Sequence, residues 1–232
     1  MMPTVNDELG KDTSPSSSTE THYHMSFEAR EFIYRFLAWL YLYPDTSRLQ
    51  RLRAAAAALS GDEWWRELDY AVAFERLFTL VSAVDEADAE GVVNEYNRLF
   101  LVNPQAPPHE TFYLDSSGQF RGWMAAELTR IYAENGLAIS PALNEMPDHL
   151  AVELEFMSHL CATAHSGNSD MIDAAIESQG TFLRQHLAKW FPKFAKQVKE
   201  AEPQHHYGAV VEATFVFLRS ELASLGENER YG

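Results

Sequence analysis

Glu145-Met-Pro-Asp-His-Leu-Ala-Val-Glu-Leu-Glu-Phe-Met157 is the stretch on which the fold turns, because it sets ionisable groups where a core helix is normally apolar. At roughly 100° per residue, a helix through it brings His149, Glu153, Phe156 and Leu160 within about 40° of one another. Leu150, Leu154, Met157 and Cys161 form a second stripe about a third of a turn away, with Val152 widening the arc. The imidazole and carboxylate thus sit inside a wide apolar face, while Asp148, Glu155 and His159 take the polar one. Pro147 suits the first helical turn, where its missing N–H costs nothing, and Asp148 beside it complements the positive helix end. Two readings stay open from the wheel alone. His149 and Glu153 form a satisfied i,i+4 pair at a bundle seam, or they belong to a binding or catalytic site.

Working outward, the pattern is helical nearly throughout from Ser26. Phe32, Phe36, Leu40 and Tyr43 recur at helical spacing and end at Pro44, and Leu49, Leu52 and the Ala54 to Ala58 run predict a second helix. Trp64 to Val84 reads as a third, Asp85 to Phe100 as a fourth interrupted by Gly91, and Trp123 to Asn135 as a fifth stopped by Gly136. The sixth starts at Pro147. Met171 to Leu187 follows, and Pro192 is expected to break or kink the chain before Phe194. A last helix carries Tyr207, Val211, Phe215, Leu218, Leu222 and Leu225 on one face. No stretch alternates with period two, so an all-α, single-domain bundle is expected over residues 25–226, with tails at 1–24 and 227–232. The one long non-helical connection is Leu101 to Phe120, where Pro104, Pro107 and Pro108 favour extended backbone; loops of this length are often functional.

Composition narrows the function classes. Of 232 residues 46% are hydrophobic, enough for a substantial core, and 18 basic against 34 acidic residues leave a net charge of −16. Such an acid excess argues against nucleic acid and against an anionic membrane surface, and it suits a basic peptide. Cys161 is the single cysteine, so a disulfide framework within the chain is excluded and a reducing compartment is the natural inference. The run Phe36 to Tyr43 is too short to span a bilayer, which takes about twenty residues, so stable membrane insertion is not expected. The polar opening residues, with Ser14-Pro-Ser-Ser-Ser18, read as a disordered tail rather than a targeting segment.

Glu95-Tyr-Asn-Arg-Leu-Phe100, Pro107-Pro-His-Glu-Thr111 with Tyr113, Glu145-Met-Pro-Asp-His149, and Phe182-Leu-Arg-Gln-His186 with Trp190 and Pro192 follow one another in order. Together they resemble the TorD/DmsD/NarJ family of cytoplasmic chaperones for molybdenum oxidoreductases, over roughly Phe27 to Leu225. The resemblance implies an all-helical bundle of the TorD/DmsD type that takes no cofactor of its own. It would bind the signal peptide, or the apo form, of a molybdopterin oxidoreductase catalytic subunit until the cofactor is in place. Whether the chaperone touches the molybdopterin cofactor transiently is left open. Glu145, Pro147, Asp148 and His149 match the family's client-binding motif, with Glu153 one turn on; Tyr96 and Phe100 match an aromatic-Leu-Phe motif expected to pack beside the groove. Phe156 and Leu160 are expected to line that groove. Two departures stand out. Leu101-Val-Asn103 precedes Pro104 without the glycine that often follows Leu-Phe, and His109 stands where an aromatic would precede the glutamate.

Physical chemistry reaches a compatible picture separately. A signal peptide joins a basic start to an apolar stretch, so its receptor needs an apolar groove rimmed by carboxylates. Glu145 and Asp148 are suited to pairing with arginine. The alternatives are a helical-bundle enzyme and a ligand-binding regulator. Glu202-Pro-Gln-His205 is the only Glu-x-x-His spacing, with a proline inside it, where a di-iron bundle needs two. Neither a phosphate-binding Gly-x-x-x-x-Gly-Lys-Ser/Thr loop nor a Gly-x-Ser-x-Gly elbow is present. His205-His206 is read as a solvated pair, and Lys189, Lys193, Lys196 and Lys199 as a solvated face rather than a DNA-reading one.

Overall fold

The computed structural model describes residues 25–61, 65–114, 121–138, 145–204 and 206–231. Within them the chain forms ten α-helices and one π-helical turn, without a strand. The helices are α1 (Phe27–Leu40), α2 (Thr46–Gly61), α3 (Ala71–Ala83), α4 (Glu86–Tyr96), α5 (Glu110–Leu114), α6 (Arg121–Glu134), α7 (Leu150–Ser166), α8 (Ser169–Gln185), α9 (Leu187–Glu200) and α10 (Tyr207–Tyr231). The all-α expectation holds. The 1–24 stretch read as a tail, and His205 of the histidine pair, lie outside the described residues.

Local chemistry sets the boundaries. Ser26 caps α1 by accepting the Ala29 N–H, and Asp85 with Asp88 forms a capping box that starts α4. Trp64, the expected start of the third helix, lies outside the described residues; α3 begins at Ala71, and Trp65 lies buried in the turn before it, donating its indole N–H to Leu59 O at 2.7 Å. Gly91 passes inside α4 without interrupting it. Gly136, at φ 76°, takes the left-handed conformation that ends α6.

Two further expectations are corrected. Pro192 does not break the chain; it is exposed within α9, where it costs one intrahelical bond, and the break falls at His186, whose φ −117° and ψ −89° leave the helical region. The proline-rich connection holds a helical turn of its own, α5. α10 runs as backbone to Tyr231.

The core is one cluster of buried apolar side chains. α1 lies along α7, α7 along α8, α2 along α3, and α10 bridges α3 and α9. Ser158 of α7 donates to Glu31 O at 3.1 Å, and Arg30 on α1 reaches Glu221 on α10 with Nε 2.9 Å from both carboxylate oxygens. Tyr34 donates to the same carboxylate at 2.9 Å, so this buried ion pair is fully hydrogen-bonded, the condition under which such pairs are tolerated. α9 turns Leu187, Trp190, Phe191, Phe194 and Val198 inward and its lysines outward, leaving a solvated face as expected. No helix among the described residues is long and apolar enough to cross a membrane.

Candidate functional site

α4 does not stop cleanly at Tyr96. Asn97–Leu101 form a π-helical turn, closed by the Val102 N–H on Asn97 O at 2.8 Å, and such turns often mark functional segments. Asn103 then takes φ 47°, a left-handed conformation that asparagine tolerates. The turn swings Pro107 and Pro108 across the start of α7. Leu150 N–H meets Pro108 O at 2.8 Å, Glu110 N–H meets Asp148 O at 2.9 Å, and His109 and His149 form an isolated antiparallel bridge. The two sequence motifs, Pro-Pro-His-Glu-Thr and Glu-Met-Pro-Asp-His, are thereby stitched into one corner.

The wheel placed this corner's residues wrongly in one respect. α7 starts at Leu150, so Pro147 and Asp148 precede the helix and His149 is its cap, its Nδ1 accepting the Ala151 N–H at 3.1 Å. The reason is the bridge to residues 108–110, which claims the backbone groups that a longer helix would need. His149 and Glu153 therefore form no i,i+4 pair. Since Nδ1 accepts, the imidazole proton sits on Nε2, 3.8 Å from Glu145 Oε2, too far for a hydrogen bond. Burial, with the charge of His109 adding, pushes the His149 pKa down to about 3, so the ring is neutral.

Asp148 is not on a polar face; it is 4% exposed. Oδ1 accepts from His109 Nδ1 at 3.2 Å, and Oδ2 accepts from the Thr111 hydroxyl and, at 3.4 Å, its N–H. Burial alone would raise the carboxyl, but these hydrogen bonds outweigh it and hold the group below the usual aspartate range. Pro147 contributes its carbonyl, which accepts from Tyr132 at 2.8 Å. Glu145 is the outward group, with a quarter of its side chain (26%) exposed. Partial burial raises its pKa, against the opposing fields of His109 and Arg48.

Beneath this layer lies a second one. Glu153 is fully buried; Oε2 accepts the Trp190 indole N–H at 3.0 Å and Oε1 has no hydrogen-bond partner. Burial, with repulsion from Glu110 and Asp148, pushes its pKa well up and favours the neutral acid, outweighing the Trp190 hydrogen bond, which favours the carboxylate. Glu110, equally buried, accepts from His186 Nδ1 at 2.9 Å. Tyr96 and Phe100 are in the core below, ring centroids 5.3 Å apart, and Phe100 meets Tyr207 at 5.1 Å. Phe156 and Leu160, expected along a groove, are buried instead; Phe156 packs on Tyr132 at 4.8 Å and Phe182 at 4.8 Å. His206 is buried too, not solvated.

An open cleft of about 430 Å³ does lie alongside the α7 first turn, lined by the apolar Trp39, Leu42, Leu137, Ala151 and Val152 and by the charged Asp45, Arg48, Arg51 and Glu155, among others. Arg48 stands on its rim and also acts on Glu145, so cleft and motif are neighbours. No group of three or more His, Cys, Asp or Glu side chains among the described residues is arranged to hold a metal.

The family model for the nitrate reductase delta subunit matches residues 62–196. The chain belongs to this family, the TorD/NarJ family. The matched region takes in the π turn, the stitched corner and α7 through most of α9, so delta-subunit family membership rests on the same segments that build the site. The chain is similar to the chaperone protein TorD of Vibrio cholerae (strain O395), at 29% identity over 147 residues, 62% of this chain and 66% of the relative. TorD of the El Tor strain N16961 is 30% identical over 56% of this chain and 60% of its own length, and TorD of Photobacterium profundum 28% identical over 66% and 72%. The chain thus spans about 60–66% of the first of these curated relatives. A putative redox enzyme maturation protein from Archaeoglobus fulgidus superposes with a TM-score of 0.49 at 24% identity, covering 89% of this chain and 99% of that one.

His109, Thr111, Glu110, His186 and Trp190 complete the site, and none was read from the sequence as a site residue. The signal was present in that all five lie in the motifs Pro107 to Thr111 and Phe182 to Pro192; nothing local says that they converge.

Proposed function

We propose that this delta-subunit family member is a system-specific chaperone, not an enzyme, for the catalytic subunit of a molybdenum-dependent oxidoreductase. It binds the subunit's signal peptide or apo form in the cytoplasm and assists cofactor insertion and assembly before export. The relatives named chaperone support the general role. The observation that carries the reading is the cleft of about 430 Å³ set beside the half-buried Glu145. A cleft with apolar walls, whose lining carries the carboxylates of Asp45 and Glu155 beside Arg48 and Arg51 and which neighbours Glu145, suits a peptide with a basic start and an apolar stretch.

In this reading the site residues divide the work. Glu145 meets a basic side chain of the client. Pro147, Asp148 and His149 fix the turn that presents it, through the Tyr132, Thr111 and Ala151 contacts. Glu153 anchors that turn to α9, and Tyr96 and Phe100 support it from the core. Trp39, Leu42 and Leu137 offer the apolar surface. The net charge of −16 favours a basic partner over nucleic acid. Affinity capture of the tagged chain from its native host, with cofactor synthesis intact and blocked, tests the role. A large cofactor-free oxidoreductase subunit is expected, enriched when synthesis is blocked; recovery of only the mature holoenzyme, or of no such subunit, contradicts it.

A further inference from the structure

Both oxygens of Asp148 are hydrogen-bonded in the closed corner, and of their two partner residues His109 is the more exposed, Thr111 being buried. The Oδ2 side is held from within by Thr111, whereas Oδ1 meets only the His109 Nδ1 at 3.2 Å. The His109 side chain is 31% exposed and rests edge-on against His149, ring centroids 5.0 Å apart. Glu145 stands on the same outer side, within the field of His109 and 3.8 Å from His149 Nε2. His109 thus bonds the buried carboxylate directly and acts on the partly exposed one through its field, with His149 lying against both His109 and Glu145.

We propose that His109 is a displaceable stand-in for an arginine of the client, and that binding exchanges the imidazole for a guanidinium that joins Asp148 to Glu145. The inference rests on the client reading above and deepens it by naming what is recognised. A guanidinium presents five donors in a planar fork and can serve two carboxylates at once, whereas the imidazole directs one N–H at Oδ1. Displacing His109 is unfavourable for any ligand, since it strips a buried carboxylate of a donor. Only a side chain that restores that donor offsets the loss, so His109 acts as a specificity filter that rejects neutral side chains. Lysine, a compact ammonium without the fork, replaces it less well.

The test uses the full chain with two synthetic peptides, one bearing Arg-Arg ahead of an apolar stretch and the other Gln-Gln in the same place. Imidazole nitrogen resonances are followed by NMR while affinities are measured for wild type, Asp148→Asn and His109→Ala. The Arg-Arg peptide is expected to move the His109 Nδ1 resonance, and the Gln-Gln peptide to leave it in place. Asp148→Asn is expected to lower the Arg-over-Gln preference by roughly tenfold, the weight of one charge-assisted hydrogen bond. His109→Ala, with no lid to displace, is expected to bind the Arg-Arg peptide more tightly than wild type does. Should Asp148→Asn fail to fold, the wild-type resonance decides the question alone. An Arg-Arg peptide that binds with the His109 resonance unmoved overturns the exchange and leaves the client reading standing. If neither peptide binds, the client reading falls and the exchange with it.

Discussion

His149 and Glu153 respond to pH in opposite senses. The folded His149 has a pKa of about 3 against an ordinary value of 6.5. Between those values the unfolded chain takes up a proton that the folded chain refuses, so stability falls as pH drops through that window, by up to ~1.4 kcal/mol per unit. Glu153 is raised well above 4.5, so between 4.5 and its folded value the folded chain keeps a proton that the unfolded chain has lost. That contribution is lost as pH rises through the window. Urea midpoints measured against pH should show the acid-side decline shrink in His149→Asn, which keeps a capping oxygen, and the decline toward higher pH shrink in Glu153→Gln. An unchanged acid limb in His149→Asn would mean that the ring does not stay neutral in the fold. A second outcome belongs to the same residues. Trp190→Phe removes the one donor to a fully buried carboxyl and should cost about 1–3 kcal/mol, while pairing it with Glu153→Met should recover part of that loss. Additive losses in the double variant would show that the contact is not shared. Residue identity made Glu145 to Glu153 visible as unusual, but not that His149 is a cap. The cap arises from backbone bonds to residues 108–110, a pairing across about forty residues that no helical periodicity encodes.

Elements follow local rules except where distant contacts override them. α1, α2, α4, α6 and α8 are legible from apolar spacing, capping residues and stop signals, because those act within a turn or two. α3 starts later than its periodicity suggests because Trp65 finds a partner in Leu59 O outside any helix. The π turn at Asn97–Leu101 has no period to read, and α5 sits in a proline-rich stretch whose composition argues for a loop. Between elements, the buried Arg30–Glu221 pair ties α1 to α10. Arg30→Met leaves Glu221 buried without its partner and should destabilise the fold by about 3 kcal/mol, read as a fall of several degrees in the thermal midpoint. A midpoint within a degree of wild type would show that water or rearrangement replaces the arginine.

At the scale of the whole molecule, one core holds a corner in which two layers of buried polar groups lie beneath the half-buried Glu145 and beside an open cleft. The charge of −16 and the helical spacing of the apolar residues point to an acidic helical protein, and the order of motifs points to the family. Neither reveals the cleft, since Trp39, Arg48 and Val152 come from three different helices and Leu42 and Leu137 from the turns after α1 and α6, and all read locally as core or surface. If the acidic surface draws the client in, association with an Arg-Arg peptide should slow as salt rises from low to physiological concentration while dissociation changes less; salt-independent association would assign the attraction to the cleft alone. The central claim is that client recognition takes place at Glu145 and the neighbouring cleft. Calorimetric titration of wild type, Glu145→Gln and Leu42→Asp with one Arg-Arg signal-type peptide tests it most directly. Saturable binding by wild type, weakened on the order of tenfold or more in each variant while thermal stability is kept, is the result predicted; equal affinity in all three would contradict it.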